Sequence, residues 1–406
     1  MIRRKIFITL LFILVLASGC NYKNNGDSME PKNKVESKKV DPIEESIKKM
    51  TLEEKIGQLI FVGIDDTVIS EKSKELINKY KVGGIILFKR NIVDSEQTIK
   101  LMNSLKNENS KNPVPLFLGI DQEGGKVSRI PEEFIVTPTG REIGSTNDKD
   151  FAFKIGSILG KQVSYLGLNL DFAPVLDIYS NAKNTVIGDR AFGKDENVVS
   201  NISTEVIKGI NSQNIIPVVK HFPGHGDTVV DSHVGLPKID HDYERLNNFE
   251  LVPFKRAIEN NIDMLMVGHI LLTKVDSENP ATMSKTIISD ILRGDLGFKG
   301  VVITDDMVMG AIVENYSIED ASIKSIQSGS DIVLIGHGYE TVVKVVDNLR
   351  KAVHDGNISE ERVNESVYRI LKVKDKYNLN NNNTLSDVNR IKDINNELNN
   401  TLKEVR

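Results

Sequence analysis

Residues 215–219 read Ile-Ile-Pro-Val-Val, and residues 220–233 continue as Lys-His-Phe-Pro-Gly-His-Gly-Asp-Thr-Val-Val-Asp-Ser-His. The apolar run is typical of a buried strand, whereas Pro223, Gly224 and Gly226 indicate a sharply turning loop. Three histidines, two aspartates and a lysine lie within those fourteen residues. So many ionisable groups directly after a buried strand favour a functional site over a solvated loop.

The same unit, an apolar run followed by a helical stretch, recurs eight times along the chain. Near-continuous Val, Ile and Leu strands that alternate with helices are typical of parallel strands covered by helices. Eight such units predict an α/β fold, a (β/α)8 TIM barrel, with an open doubly wound sheet of six strands as the alternative. The predicted strands are 59–62, 84–88, 116–120, 168–175, 216–219, 264–267, 301–303 and 332–335. The predicted helices are 71–80, 95–108, 150–165, 197–213, 248–260, 285–296, 318–327 and 340–355.

Length and composition limit the class of protein. The 406-residue chain has a net charge of −5, which argues against the basic surface of a nucleic-acid-binding protein. Its one cysteine, Cys20, rules out an internal disulfide framework and a cysteine-based zinc site. We expect a single catalytic domain over residues 42–377 and a polar, Asn-rich tail over residues 378–406. Within this tail, four apolar residues have the spacing of one amphipathic helix: Ile391, Ile394, Leu398 and Leu402.

The first twenty residues have the pattern of an export signal. Basic residues at 3–5 precede an apolar run at 6–16, and Ala-Ser-Gly-Cys closes the segment at 17–20. The apolar run is too short to span a bilayer comfortably. Because it ends at Cys20, the segment resembles a bacterial lipoprotein signal over residues 1–19, with lipid attached to the cysteine sulfur. A plain secretory signal is the alternative.

Residues 20–41 are rich in Asn, Lys, Ser, Glu and Asp and predict a flexible tether. The expected location is therefore the cell membrane, with the protein lipid-anchored and facing outside the cytoplasm.

In a TIM barrel the functional residues lie on the loops at the carboxyl ends of the strands. Ionisable residues follow strand after strand in this sequence. Besides the stretch at 220–233, they are Asp121, Glu123, Asp177, Arg190, His269, Asp305, Asp306 and His337.

Four segments resemble glycoside hydrolase family 3, and more narrowly its exo-acting β-N-acetylglucosaminidases. They are Asp-Gln-Glu-Gly-Gly at 121–125, Gly-Asp-Arg at 188–190, the stretch at 220–233, and Ile-Thr-Asp-Asp at 303–306. The resemblance runs from residue 43 to residue 377 and implies the single-domain form of the family. It implies removal of non-reducing terminal β-linked N-acetylglucosamine, with peptidoglycan fragments as the expected source. No cofactor or metal is expected, and we expect a monomer.

The resemblance also implies individual roles. Asp305 matches the nucleophile, His233 the acid/base, and Asp231 the carboxylate that orients the His233 ring. From strand alternation, only one of Asp305 and Asp306 faces the substrate, and the family pattern selects Asp305. A histidine suits proton transfer because its ordinary pKa is about 6.5. The positions that match sugar-binding residues are Asp121, Arg129, Arg190, Lys220 and His221.

Several alternatives stay open. Glu123 is the competing proton donor, although the glycines after it favour a structural turn. A phosphorylase of the same family would use phosphate in place of water. A non-catalytic sugar-binding lipoprotein would have little need for paired Asp231 and His233. A metal-dependent TIM-barrel hydrolase would use histidines as ligands, but the helical His-x-x-x-His pair of zinc proteases does not occur; its candidate ligands are His221, His225, His233 and His269.

Overall fold

The computed structural model describes residues 41–232 and 235–405. The predicted signal segment, Cys20 and the tether up to residue 40 lie outside this range, as does His233. The proposals that concern them stay predictions. Within the described ranges, no helix combines the length and the apolar character needed to cross a bilayer.

Eight strands form a closed parallel barrel. Its strands are β1 (Ile60–Gly63), β2 (Gly84–Leu87), β3 (Phe117–Ile120), β4 (Leu170–Asp171), β5 (Ile216–Phe222), β7 (Met264–Val267), β9 (Val301–Asp306) and β10 (Ile332–Ile335). They are ordered β1-β10-β9-β7-β5-β4-β3-β2, and every neighbouring pair is parallel. Two short strands, β6 (Lys238–Ile239) and β8 (Leu271–Leu272), pair separately. The predicted TIM barrel is confirmed, and the open-sheet alternative is wrong.

Helices surround the barrel, and many begin at a side chain that caps the first free N–H groups. Asp94, Asp148 and Asp195, for example, each accept a backbone N–H at a helix start. The helices are α1 (Pro42–Lys49), α2 (Leu52–Gln58), α3 (Glu71–Asn78), α4 (Ser95–Asn109), α5 (Gly140–Thr146), α6 (Lys149–Tyr165), α7 (Glu196–Asn211), α8 (Tyr243–Asn248), α9 (Val252–Glu259), α10 (Gly310–Val313), α11 (Ile318–Ser328), α12 (Tyr339–His354), α13 (Glu360–Lys376) and α14 (Val388–Lys403).

Three predicted elements differ from the structure. The helix predicted at 248–260 begins only at residue 252, with Pro253 in its first turn, where the missing N–H costs no helical hydrogen bond. The segment predicted as a helix at 285–296 is a π-helix over Thr286–Asp295. The strand predicted at 168–175 shortens to β4, because Pro174 has no N–H to donate; pairing resumes where Val175 bridges Lys220.

Two strands run further than predicted, and both extensions carry residues that the sequence predicted for the site. β5 continues through Phe222, so Lys220 and His221 lie on the strand and not on the loop. β9 continues through Asp306, and its register with β10 shifts: Ile303 pairs with Ile332, but Asp306 pairs with Leu334. Three steps on β9 therefore match two on β10, and the simple alternation that was expected to separate Asp305 from Asp306 does not apply there.

Aromatic rings pack across the barrel interior. Phe61 of β1 lies 6.3 Å from the ring of Phe117 and 5.5 Å from that of Phe172. Because β1 is not a neighbour of β3 or β4 in the sheet, these rings meet inside the barrel. A Cβ at Gly84 or Gly119 would lie within 3.0 Å of these rings. The two glycines therefore make room for the rings.

The segment predicted as a polar tail contains α14. Ile391, Ile394 and Leu398 are buried, and Leu402 is partly buried against the same core. The helix packs on α6, where Lys161 of α6 makes an ion pair of 2.6 Å with Glu397. The amphipathic spacing in the sequence therefore corresponds to a docked helix.

Candidate active site

A pocket of about 480 Å³ lies at the carboxyl ends of the barrel strands. It brings together six residues that the sequence predicted for the site: Asp121, Arg129, Arg190, Lys220, His221 and Asp305. Glu123, His225, Ser232, Asp306 and His337 also line it.

The floor of the pocket is a buried charge cluster of two cations and two carboxylates. Lys220 Nζ lies 2.5 Å from Asp121 Oδ1 and 2.7 Å from Glu123 Oε1. Arg190 meets Glu123 with two parallel hydrogen bonds of 2.8 Å each. Burial lowers the pKa of Lys220, but the carboxylates of Asp121 and Glu123 raise it by more than burial lowers it. The pKa is therefore above its ordinary value, and the amine stays charged. We define these four residues as the charge cluster.

Glu123 is poorly suited to donate a proton. Burial raises the pKa of its carboxyl, but Arg190 and Lys220 together lower it far below the ordinary value. A carboxyl held so strongly as an anion is a structural counter-ion. The two glycines that follow it have φ angles of 91° and 52°, which favour glycine, and they form the tight turn that the sequence predicted.

Asp177 organises two histidines, and the sequence analysis did not assign it a role. Its Oδ2 lies 2.7 Å from His221 Nδ1, and its Oδ1 accepts the backbone N–H of His225 at 2.6 Å. Asp177 is fully buried; burial raises its pKa, but His221 lowers it below the ordinary value. The carboxylate therefore accepts a hydrogen bond from the His221 Nδ1–H group and leaves Nε2 for the pocket. An aspartate in an apolar run at a strand end was the available signal.

The two neighbouring aspartates of β9 have different surroundings. Asp306 Oδ1 accepts the N–H groups of Gly336 at 2.8 Å and Val308 at 3.1 Å. Among the described residues, the only hydrogen bond to the Asp305 carboxylate comes from the Asp306 N–H, at 2.8 Å. Asp306 thus holds the end of β9 against the end of β10, while the Asp305 carboxylate is available to a ligand. This difference in hydrogen bonding replaces strand alternation as the reason to distinguish them, since both line the pocket.

The charge state of Asp305 fits a nucleophile. Burial raises the pKa of its carboxyl, but nearby His269, His221 and Lys220 lower it below the ordinary value, so Asp305 is an anion near neutral pH. Burial raises the pKa of Asp306.

Two further buried histidines, His225 and His269, have hydrogen-bond partners of their own. His269 Nε2 donates to the Asp306 carbonyl at 2.9 Å, so its Nδ1 accepts from the Thr282 hydroxyl. Burial lowers the pKa of His225 to about 4 and keeps that ring neutral. Across residues 41–232 and 235–405, no three His, Cys, Asp or Glu side chains are grouped so that they could hold a metal ion.

Two further residues that the sequence predicted for the site, Arg129 and Asp231, lie within the described part of the chain. Arg129 lines the pocket, and its Nε is buried with no hydrogen-bond partner in the described part of the chain. Asp231 is half-buried, and the next residue, Ser232, lines the pocket. His233 follows Ser232 in the sequence but lies outside the described residues.

Comparison with known proteins identifies the family. Residues 51–373 match the model for the glycosyl hydrolase family 3 N terminal domain. The chain is 36% identical over 334 residues to beta-hexosaminidase A of Pseudoalteromonas piscicida, covering 76% of this chain and 56% of that one. It is 30% identical to the beta-hexosaminidase of Nitrosomonas eutropha, covering 77% of this chain and 91% of the relative. The chain thus spans little more than half of the first relative and most of the second.

Solved structures agree with these relatives. A family 3 beta-N-acetylglucosaminidase from Paenibacillus sp. superposes with a TM-score of 0.83 at 36% identity, covering 88% of this chain and 69% of that one. A family 3 glycosyl hydrolase from Mycobacterium smegmatis gives a TM-score of 0.74 at 31% identity, covering 80% of this chain and 98% of that one. The chain therefore belongs to glycoside hydrolase family 3, and it is a glycoside hydrolase.

Proposed function

We propose that this protein is a retaining exo-glycosidase that removes non-reducing terminal β-linked N-acetylglucosamine. The observation that carries the proposal is Asp305, a partly buried anionic carboxylate that borders the same pocket as the charge cluster. The relatives' names, beta-hexosaminidase and beta-N-acetylglucosaminidase, support the sugar class.

The proposed reaction has two displacements at the anomeric carbon. Asp305 attacks that carbon while the glycosidic C–O bond breaks, and His233 gives its proton to the departing oxygen. His233 then takes a proton from water as the water oxygen attacks the same carbon and Asp305 leaves. Asp231 orients the His233 ring and stabilises its charged form. The strongly anionic state of Glu123 supports this assignment over Glu123 as the donor.

The charge cluster gives a chemical basis for exo action. Carboxylates and cations make strong hydrogen bonds to vicinal hydroxyls, and Asp121, Lys220 and Arg190 all line the pocket. Arg129 and His221, which also line the pocket, add two side chains that could contact a terminal sugar. A sugar held by these groups would present its anomeric carbon to Asp305.

The proposed setting is the outer side of the cell membrane, where the protein acts as a monomer held by a lipid on Cys20. Support comes from the residues before position 21 alone: a basic start, a short apolar run and a closing cysteine. Peptidoglycan fragments are the proposed substrate source because they carry N-acetylglucosamine on that side of the membrane.

The activity itself is tested with nitrophenyl glycosides. We expect the purified protein to hydrolyse the β-N-acetylglucosaminide far faster than the β-glucoside or β-xyloside, with and without a chelator. The product should be free N-acetylglucosamine whether or not phosphate is present. A sugar phosphate formed only when phosphate is added would instead show a phosphorylase, and preference for the glucoside would remove the proposed substrate.

Replacing Asp305 by Ala should lower turnover by several orders of magnitude without unfolding the barrel, because the covalent step is lost. The matched control is Asp306→Ala, which leaves two backbone N–H groups without their acceptor. It should cost about 1–3 kcal/mol of stability and keep measurable turnover. Kinetics corrected for the folded fraction decide between them: a larger loss in Asp306→Ala would reassign the nucleophile.

The acid/base assignment is tested by leaving-group dependence. His233→Ala should lose about 10²–10⁴-fold with a disaccharide and less in the first step with a nitrophenyl glycoside, whose leaving group needs little protonation. Asp231→Ala should act in the same direction but more weakly. If Glu123→Gln shows this dependence and His233→Ala does not, the histidine mechanism is wrong.

The anchor is tested by replacing Cys20 with Ser, which removes the sulfur that would carry the lipid. We expect the protein to move from the membrane fraction to the soluble fraction, with its activity retained. A Cys20→Ser variant that stays in the membrane fraction would refute the lipid anchor.

A further inference from the structure

The loop between β3 and α5, residues 121–139, carries three ionisable pocket residues but has no helix or longer strand of its own. Its internal backbone pairing consists of a bridge between Gly124 and Val127, a bond from the Gly125 N–H to the Thr137 carbonyl, and a turn at residues 131–134. Asp121, Glu123 and Arg129 all border the pocket. A segment of this length needs contacts from outside to hold one conformation. We call it the β3 loop.

Asn395 of α14 binds the backbone of this loop at two points. Its Oδ1 accepts the N–H of Ile135 at 2.9 Å, and its Nδ2 donates to the carbonyl of Glu133 at 2.8 Å. One side-chain amide thus pairs with the loop as a neighbouring strand would. Ile135 is itself exposed, whereas its neighbour Phe134 is buried in the core with its ring 5.5 Å from that of Tyr165. The Asn395 amide therefore adds polar contacts beside an apolar anchor.

A series of hydrogen bonds links the loop backbone that Asn395 binds to the pocket. The Ile135 carbonyl accepts from Gln162 Nε2 of α6 at 3.0 Å. Gln162 Oε1 accepts from Gln122 Nε2 at 3.2 Å, and Gln122 Oε1 accepts the Arg129 N–H at 3.0 Å. Gln122 and Gln162 are fully buried. Because buried amides must keep their partners, a shift at residue 135 disturbs the residues that orient Arg129.

α14 is well placed to act as a fixed support. Ile394 and Leu398 anchor it in the core, and Lys161 of α6 pairs with Glu397. The same helix α6 supplies Gln162. The helix that supports α14 therefore also carries one residue of the hydrogen-bond series that leads to the pocket. α14 also lies beyond the family match, which ends at residue 373.

We propose that Asn395 is a positioning residue, which holds the β3 loop so that Arg129 can bind the terminal sugar. The inference rests on the proposed function for its kinetic readout. The loop has other anchors, since Lys89 bonds the Ile130 carbonyl and Glu133 bonds Ser95. Loss of Asn395 therefore loosens the loop without releasing it.

The test compares Asn395→Ala with Asn396→Ala, the exposed neighbour on the same helix. Asn395→Ala should raise KM by about 3–10-fold and leave kcat within about twofold, because binding contacts are affected and the nucleophile is not. Asn395→Asp keeps the acceptor for Ile135 but loses the donor to Glu133, and should fall between Asn395→Ala and the wild type. Asn396→Ala should match the wild type. A double variant with Arg129→Ala should show no further rise in KM beyond Arg129→Ala alone.

A second measurement needs no substrate. Hydrogen exchange of peptides within residues 121–139 should be faster in Asn395→Ala and unchanged in Asn396→Ala. Leu398→Ala serves as the stability control, since it weakens α14 packing as a whole. Unchanged exchange, or a change in KM that follows only the loss of stability seen in Leu398→Ala, would overturn the positioning role. A wild type inactive on N-acetylglucosaminides refutes the proposed function, and exchange then decides the role of Asn395.

Discussion

The pocket depends on the pairing of Lys220 with Asp121 and Glu123 at the end of β5. Lys220 is 3% exposed, and a buried ammonium without a partner would be too costly to keep charged. Removing one partner of such a buried pair typically costs about 3–5 kcal/mol, because the remaining charge is left uncompensated. Glu123 also binds Arg190, so the loops that follow β3 and β4 are joined to the end of β5 at one point.

This arrangement separates two kinds of chemistry. The charge cluster fixes the floor, where hydroxyl recognition needs permanent charges. Asp305 lies on β9 across the barrel mouth, and Lys220 contributes to keeping it anionic. The proposed proton donor, His233, belongs to the sequence that follows β5. The proposed nucleophile and two of the proposed sugar-binding residues thus lie on different strands of one barrel, Asp305 on β9 and Lys220 with His221 on β5.

The alternation of apolar runs and helical stretches was sufficient to predict the barrel. Parallel strands that are buried on both faces must be apolar at nearly every position, and this pattern is visible in a single sequence. The ends of β5 and β9 were missed for the reason that makes them functional: Lys220, His221 and Asp305 do not look like strand residues. The register shift beside Asp306 leaves no mark in a single sequence. Long-range partners were also out of reach, since Asn395 bonds backbone groups 260 and 262 residues away.

Gly336 has a consequence for anyone who wishes to alter the enzyme. A Cβ at this position would lie 2.1 Å from Asp306 Oδ2, and Asp306 in turn holds the Gly336 N–H. The two residues contact each other closely beside Asp305, the proposed nucleophile, and leave no spare volume for a larger side chain. Random libraries at this join would therefore consist mostly of misfolded proteins. New specificity is more accessible at the open rim, where His337 is exposed and borders the same pocket.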